Sequence, residues 1–196
     1  NCDSLVEVNL GSINEIPSYC FAKCKALIIL NVQNVTKVGE HAFEDCKSFS
    51  NLELFRDVTF IGSYAFTNCR FSGHIDSFAN ATTIGEDAFS GCYLINEFEL
   101  NPLLKVLEPR VFYNCQGLKS INLPEGITSI GAEALASCCS LTELTLPNSI
   151  VELGDNAIRG ADQISTIKLS TKLTKISDHC FEGCERLRKI NLHNAI

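Results

Sequence analysis

The stretch CQGLKSINLPEGITSIGAEALASC, residues 115–138, is the unit from which the chain is built. Aligned on Cys115, further units start at Cys2, Cys24, Cys46, Cys69, Cys92, Cys138, Ala161 and Cys184, in two steps of 22 residues followed by six of 23. A near-constant period of this length marks a stacked array. Each unit buries its apolar face against its neighbours.

Within the unit the apolar residues keep fixed places. The third residue after the cysteine is Leu118 here and Leu5, Leu27, Phe49, Ile95 or Leu141 in other copies. The sixth is Ile121, matched by Val8, Leu30, Leu52, Ile75, Phe98, Leu144, Ile167 and Ile190. The eighth is Leu123, matched by Leu10, Val32, Leu54, Leu100, Leu146, Leu169 and Leu192. Places six and eight alternate with polar residues, as in Ser120-Ile121-Asn122-Leu123, which predicts a short strand with one buried face. Pro124 and Pro147 close two of these strands, where no further ladder N–H is needed. A second apolar pair follows, such as Ile127/Ile130 or Val58/Ile61. Next comes a recurring glycine (Gly39, Gly62, Gly85, Gly131, Gly154), read as a backbone bend that a Cβ would hinder. The pairs Ala42-Phe43, Ala65-Phe66 and Ala88-Phe89 then predict a helical or 3₁₀ turn opposite the strand, with the ring in the core.

The pattern L-x-x-I-x-L-P-x-x-I-x-x-I-G-x-x-A-F-x-x-C resembles the BspA-like (Treponema pallidum-type) leucine-rich repeat. Leu118 through Gly131 carry the match most closely, and Phe43, Phe66, Phe89, Phe112 and Phe181 supply the aromatic that this unit replaces by Leu135. The resemblance spans the chain. It departs from the commoner leucine-rich repeat in having no Asn ladder: Asp57, Gly126 and Ser149 occupy that place.

The expected architecture is a right-handed, curved leucine-rich-repeat solenoid of 22–23-residue repeats, with short parallel strands on one face and helical or 3₁₀ turns on the other. Strands ~4.8 Å apart would make a face about 40 Å long. A single domain over residues 1–196 is expected: eight repeats from residue 2 and a partial last one, 184–196. The chain starts inside a repeat and has no Met, so it is expected to be an excerpt of a longer one. The unit from Cys69 is the most worn, because Ser72 and Ser77 take apolar places while Phe71 and Phe78 lie one place off. It predicts a distorted strand or bulge near residues 71–78.

Most of the 11 cysteines occupy one repeat position. Stacked Cβ atoms point the same way rather than at each other, so buried thiols acting as small apolar fillers are expected in preference to disulfides. Cys20 and Cys180 fall in the Ala place. Cys139, one place past the ladder, is the candidate for an exposed, reactive thiol. There is no C-x-x-C, so no metal is expected, and nothing implies a cofactor. His41 and His179 are placed on outer, solvated turns, while His74 could face the strand side; with His193 the four are expected at unrelated repeat positions. No nucleophile elbow, P-loop or HExxH motif occurs, so the chain is read as no enzyme. The net charge of −7 argues against nucleic acid and anionic membrane surfaces. No run of ~20 apolar residues would insert in a membrane, and no signal peptide is visible.

What remains is surface. Between the buried places, the outward residues of successive strands make an acidic centre, Glu53, Asp76, Glu97, Glu99 and Glu143, and a basic end, Lys168 and Lys189. These seven form the candidate binding face, suited to a basic patch on a protein partner. Ile29 and the pair Phe55/Phe78 are expected as exposed apolar anchors. Asn34-Val-Thr36 and Asn80-Ala-Thr82 are possible glycosylation sites. The family resemblance implies a non-catalytic interaction module, an extracellular or cell-surface adhesin of a microbe or parasitic protist. The alternative is an intracellular leucine-rich-repeat scaffold.

Overall fold

A computed structural model of the protein describes residues 2–190. Leu192 and His193 lie outside the described residues.

The alternating places six and eight build a ladder of parallel strands. Its members are Glu7–Ser12, Ile29–Gln33, Gly73–Ile75, Ile95–Phe98, Ser120–Ile121, Glu143–Thr145, Thr166–Lys168 and Lys189–Ile190. Register sets like on like: Ile121 lies opposite Phe98, Leu144 opposite Ile167, and Ile167 opposite Ile190. A slip by one residue would turn the apolar row to solvent, so burial enforces this register. In the worn unit the register shifts between Gly73 and His74. The bulge lets Phe71 and Phe78 reach the core at 1% and 0% exposure.

The third unit makes no strand in this ladder. A 3₁₀ helix, Glu53–Phe55, stands where the strand would be. Phe55 explains the exchange. Its ring turns inward and packs on Phe43, Phe66 and Phe78 at 5.5, 5.2 and 5.5 Å. Burying a Phe contributes roughly 1.5–3 kcal/mol. That offsets one or two ladder hydrogen bonds at about 1 kcal/mol each. Phe55 and Phe78, expected as exposed anchors, are therefore core residues.

The second apolar pair forms strands too, though each is two residues long: Glu15–Ile16, Lys37–Val38, Phe60–Ile61, Thr83–Ile84, Val106–Leu107, Ser129–Ile130, Glu152–Leu153 and Lys175–Ile176. So short a strand leaves no alternation to detect in the sequence. Threonine hydroxyls brace this ladder from unit to unit, Thr82 donating to the Thr59 carbonyl and Thr128 to that of Lys105 at 3.3 and 3.2 Å.

The recurring glycines serve stacking rather than bending. None of Gly39, Gly62, Gly85, Gly131 and Gly154 has a positive φ. A Cβ on Gly62 would lie 2.7 Å from the Glu40 nitrogen, and one on Gly131 2.6 Å from the Pro109 nitrogen.

The third side is not helical. Each of the first eight units runs through successive β-turns with two residues in the left-handed region, as at Tyr64 and Asn68, both with φ 59°. Left-handed residues at that spacing break an α-helix. Alternate N–H groups close local turns, Thr67 to the Tyr64 carbonyl at 3.2 Å and Cys69 to that of Phe66 at 3.1 Å. The intervening ones donate to the next unit, Tyr64 to Glu86 and Phe66 to Ala88, both at 2.8 Å. The turns thus make a third hydrogen-bonded ladder.

Between the ladders lies one apolar core. Phe43, Phe66, Phe89 and Phe112 stack along it at 5.4–5.8 Å. The ladder cysteines are free thiols, and they are more than fillers. From Cys46 to Cys138 each Sγ–H donates to the carbonyl of a phenylalanine 25 or 26 residues back, as Cys69 does to Phe43 at 3.1 Å, Cys92 to Phe66 at 3.1 Å and Cys115 to Phe89 at 3.2 Å, and Cys184 donates to Ile158 at 3.4 Å. Ala161 breaks the series. Of the two cysteines in the Ala place, Cys180 is buried and Cys20 is exposed.

Candidate functional site

The strand face carries the seven expected residues, and all of them are exposed. Their grouping differs from the even acidic centre that repeat positions suggest. Glu53 sits on the 3₁₀ turn rather than on a strand. The turn also presents Arg56, which the repeat alignment passes over because it lies beyond the strand. Arg56 Nε bonds Glu53, its Nη2 donates to Glu53 Oε1 at 3.1 Å, and Nη2 stands 3.8 Å from Asp76 Oδ2. These hydrogen bonds hold the Glu53 carboxyl below its ordinary range.

His74 lies on the same face. Register puts it opposite Glu97, with Nδ1 3.0 Å from Glu97 Oε2 and Nε2 3.8 Å from Glu99 Oε2. Glu53, Asp76, Glu97 and Glu99 therefore form one cluster against a single guanidinium and one imidazole. Glu143 stands apart. Ser120 follows Glu97 in register, and Glu143 belongs to the row Glu143, Thr166, Lys189, next to the pair Thr145 and Lys168. The face is thus divided into an acidic cluster over units three to five and a mixed end over units seven to nine.

Ile29 is exposed on this face, and its neighbours Val6 and Ile28 are exposed as well. The sequons project from turns after the strands. Their amide nitrogens are engaged, Asn34 Nδ2 donating to Ser12 Oγ at 2.8 Å and Asn80 Nδ2 to the Arg56 carbonyl at 2.7 Å.

Other candidates change character. Cys139 is half-buried, its Sγ 3.5 Å from the Ser137 carbonyl, and burial and the nearby Asp162 push its thiol up. That weakens the case for a reactive nucleophile, which needs a lowered pKa. His41 is no free solvated side chain: it stacks between Tyr19 and Tyr64 at 4.6 Å from each ring and meets Glu44 at 3.1 Å. These three residues belong to one left-handed turn column. Two places on, Arg110 in the same column bridges Asp87 (3.1 Å) and Glu133 (2.6 Å) and lies over the Tyr113 ring. His179 shares the turn column of His41 instead of an unrelated repeat position, and it is exposed and paired with Glu182 at 2.9 Å. Among the described residues no group of three or more His, Cys, Asp or Glu side chains could hold a metal ion. No described helix is long and apolar enough to cross a membrane.

Three parallel ladders at a period of 22–23 residues define a leucine-rich-repeat solenoid. The chain belongs to the BspA-type leucine-rich repeat family, whose model matches residues 1–96 and 82–196 in six copies. No curated protein matches it. Among solved structures it is similar to a leucine-rich repeat protein of Bacteroides ovatus, at 22% identity and a TM-score of 0.60, covering 97% of this chain and 67% of that one. The T. pallidum leucine-rich repeat protein is 23% identical with a TM-score of 0.53, over 93% of this chain and 67% of that one. A leucine-rich repeat protein of Eubacterium ventriosum is 25% identical with a TM-score of 0.60, over 79% of this chain and 42% of that one.

Proposed function

We propose that this chain is a non-catalytic protein-binding module whose strand face engages a basic patch on a partner protein. The clustering of Glu53, Asp76, Glu97 and Glu99 on one exposed face carries the reading. At physiological salt the field of such a cluster fades over about 8 Å. It therefore selects the partner at contact and orients it on approach. Lys168 and Lys189, at the far end, give the face a direction that a partner with separated basic and acidic regions would match. The double substitution Glu97→Lys and Glu99→Lys tests this. Capture of binding proteins from a host-protein panel is expected to drop while the thermal melt stays unchanged. Equal capture would move the site off this face.

The setting we infer is the surface of a microbe or parasitic protist, in an adhesin-type role. Family membership supports it, together with the likeness in fold to the pneumococcal vaccine antigen PcpA, at 17% identity and a TM-score of 0.53. One observation favours a second reading, an intracellular scaffold: every cysteine of the chain is a free thiol, as is usual in a reducing compartment. Mass spectrometry of the native protein separates the two. Glycans on Asn34 or Asn80 are expected for a eukaryotic surface protein and are incompatible with the scaffold reading.

A further inference from the structure

The gap in the first ladder leaves a strand edge open in the middle of the stack. Ile29 donates its N–H to the Val6 carbonyl, and the Gln33 carbonyl accepts from Ile13, at 3.1 and 3.2 Å. The odd-numbered residues of Ile29–Gln33 thus face the first unit. By alternation, Leu30 and Val32 point their N–H and C=O groups at the third unit. That unit has no strand to receive them. Among the described residues no backbone hydrogen bond joins residues 29–33 to residues 48–57.

The floor below this edge is open as well. Val32, Leu52 and Leu54 are only partly buried, whereas Leu100, Leu123, Leu146 and Leu169, at the same place as Val32 and Leu54, are 2–6% exposed. An open cleft of ≈ 650 Å³ runs from Gly11 and Ser12 of the first strand across this edge, over Leu30 and Val32, to Glu53 and Leu54. Natural sheets guard free edges with charges, prolines or cover. The strand ILNVQ carries neither a charge nor a proline.

We propose that this cleft takes up an extended segment of a partner protein, added as a strand beside Ile29–Gln33. Its backbone satisfies Leu30 and Val32. Every second side chain enters the apolar floor, and the others project beside Glu53, with Glu7 one strand further off across Ile29, so the segment alternates apolar and basic residues. The inference rests on the reading of the strand face as a recognition surface and states what the face recognises at its N-terminal half.

The test uses a fluorescein-labelled peptide of alternating Lys and Val, followed by anisotropy. Two further versions are N-methylated at every Val nitrogen or at every Lys nitrogen. Methylation removes donors along one edge of the peptide strand while keeping its charge. The parent peptide is expected to bind, with at least one methylated version weakened about tenfold or more, the equivalent of one or two lost ladder bonds. Leu54→Arg, at a partly exposed floor position, is expected to abolish binding of the parent. If both methylated peptides bind as well as the parent, attraction is by charge alone. That overturns edge pairing and leaves the acidic face to its own test. Absence of parent binding, or binding retained by Leu54→Arg, also overturns the proposal.

Discussion

Phe89 shows what a single residue does in this stack. Its ring is fully buried and touches Phe66, Phe78, Phe98 and Phe112, at 5.4, 5.1, 4.8 and 5.8 Å. Its carbonyl takes the thiol of Cys115. Phe89→Ala should cost roughly 3–5 kcal/mol, because neighbouring rings held by three ladders have little freedom to collapse into the space. The loss should be felt by the adjoining units first, since each repeat contacts only its neighbours. Chemical denaturation followed by hydrogen exchange checks both claims: a lower midpoint, with protection lost around residues 66–112 before the ends of the stack. Phe55 makes the complementary point. One aromatic placed a residue beyond the strand pattern redirects a whole unit, and with it moves Glu53, Arg56 and the open edge.

At the scale of one element, the thiol ladder sets a pH dependence. Burial, helped by the neighbouring cysteine, pushes Cys46 up to about 12 and Cys69, Cys92, Cys115 and Cys138 well above the ordinary value. In an unfolded chain these thiols ionise near pH 8.5. Below that pH both states hold their protons and nothing changes. Above it the unfolded chain loses protons that the folded chain keeps, so stability falls as pH rises from about 8.5 towards 12. The slope reaches about 1.4 kcal/mol per pH unit for each ionising thiol. The urea midpoint under reducing conditions should therefore drop between pH 8 and pH 10, and Cys92→Ala with Cys115→Ala should flatten the drop. An unchanged midpoint would mean that the ladder is open to solvent.

Over the whole molecule, regularity and its interruptions divide the labour. The three ladders repeat the same backbone pairing from unit to unit, except where the third unit interrupts the first of them, and one shared core runs beneath. Charge is unevenly spread on the strand face, acidic over units three to five and mixed beyond. The open edge and the acidic cluster meet at Glu53. A partner able to use both would bury an extended segment in the cleft while placing basic groups over Asp76, Glu97 and Glu99.

The repeat period, the apolar places, the parallel strand ladder and the family were legible in the residues alone. Burial on a fixed period constrains every copy in the same way, so the pattern repeats until it is unmistakable. The exposure of Glu97, Glu99, Lys168 and Lys189 followed from simple alternation along a strand. Tertiary structure decided what depends on contacts between units. It turned Phe55 and Phe78 inward, brought Arg56 and His74 into the acidic cluster, and made the cysteines from Cys46 to Cys138 donors to phenylalanine carbonyls 25 or 26 residues back. It replaced a helical turn by a left-handed, hydrogen-bonded one, and it explained the glycines by a neighbour's backbone rather than their own φ. Each of these is a competition between burial and pairing across a gap of one repeat, and local sequence carries no record of what lies on the other side.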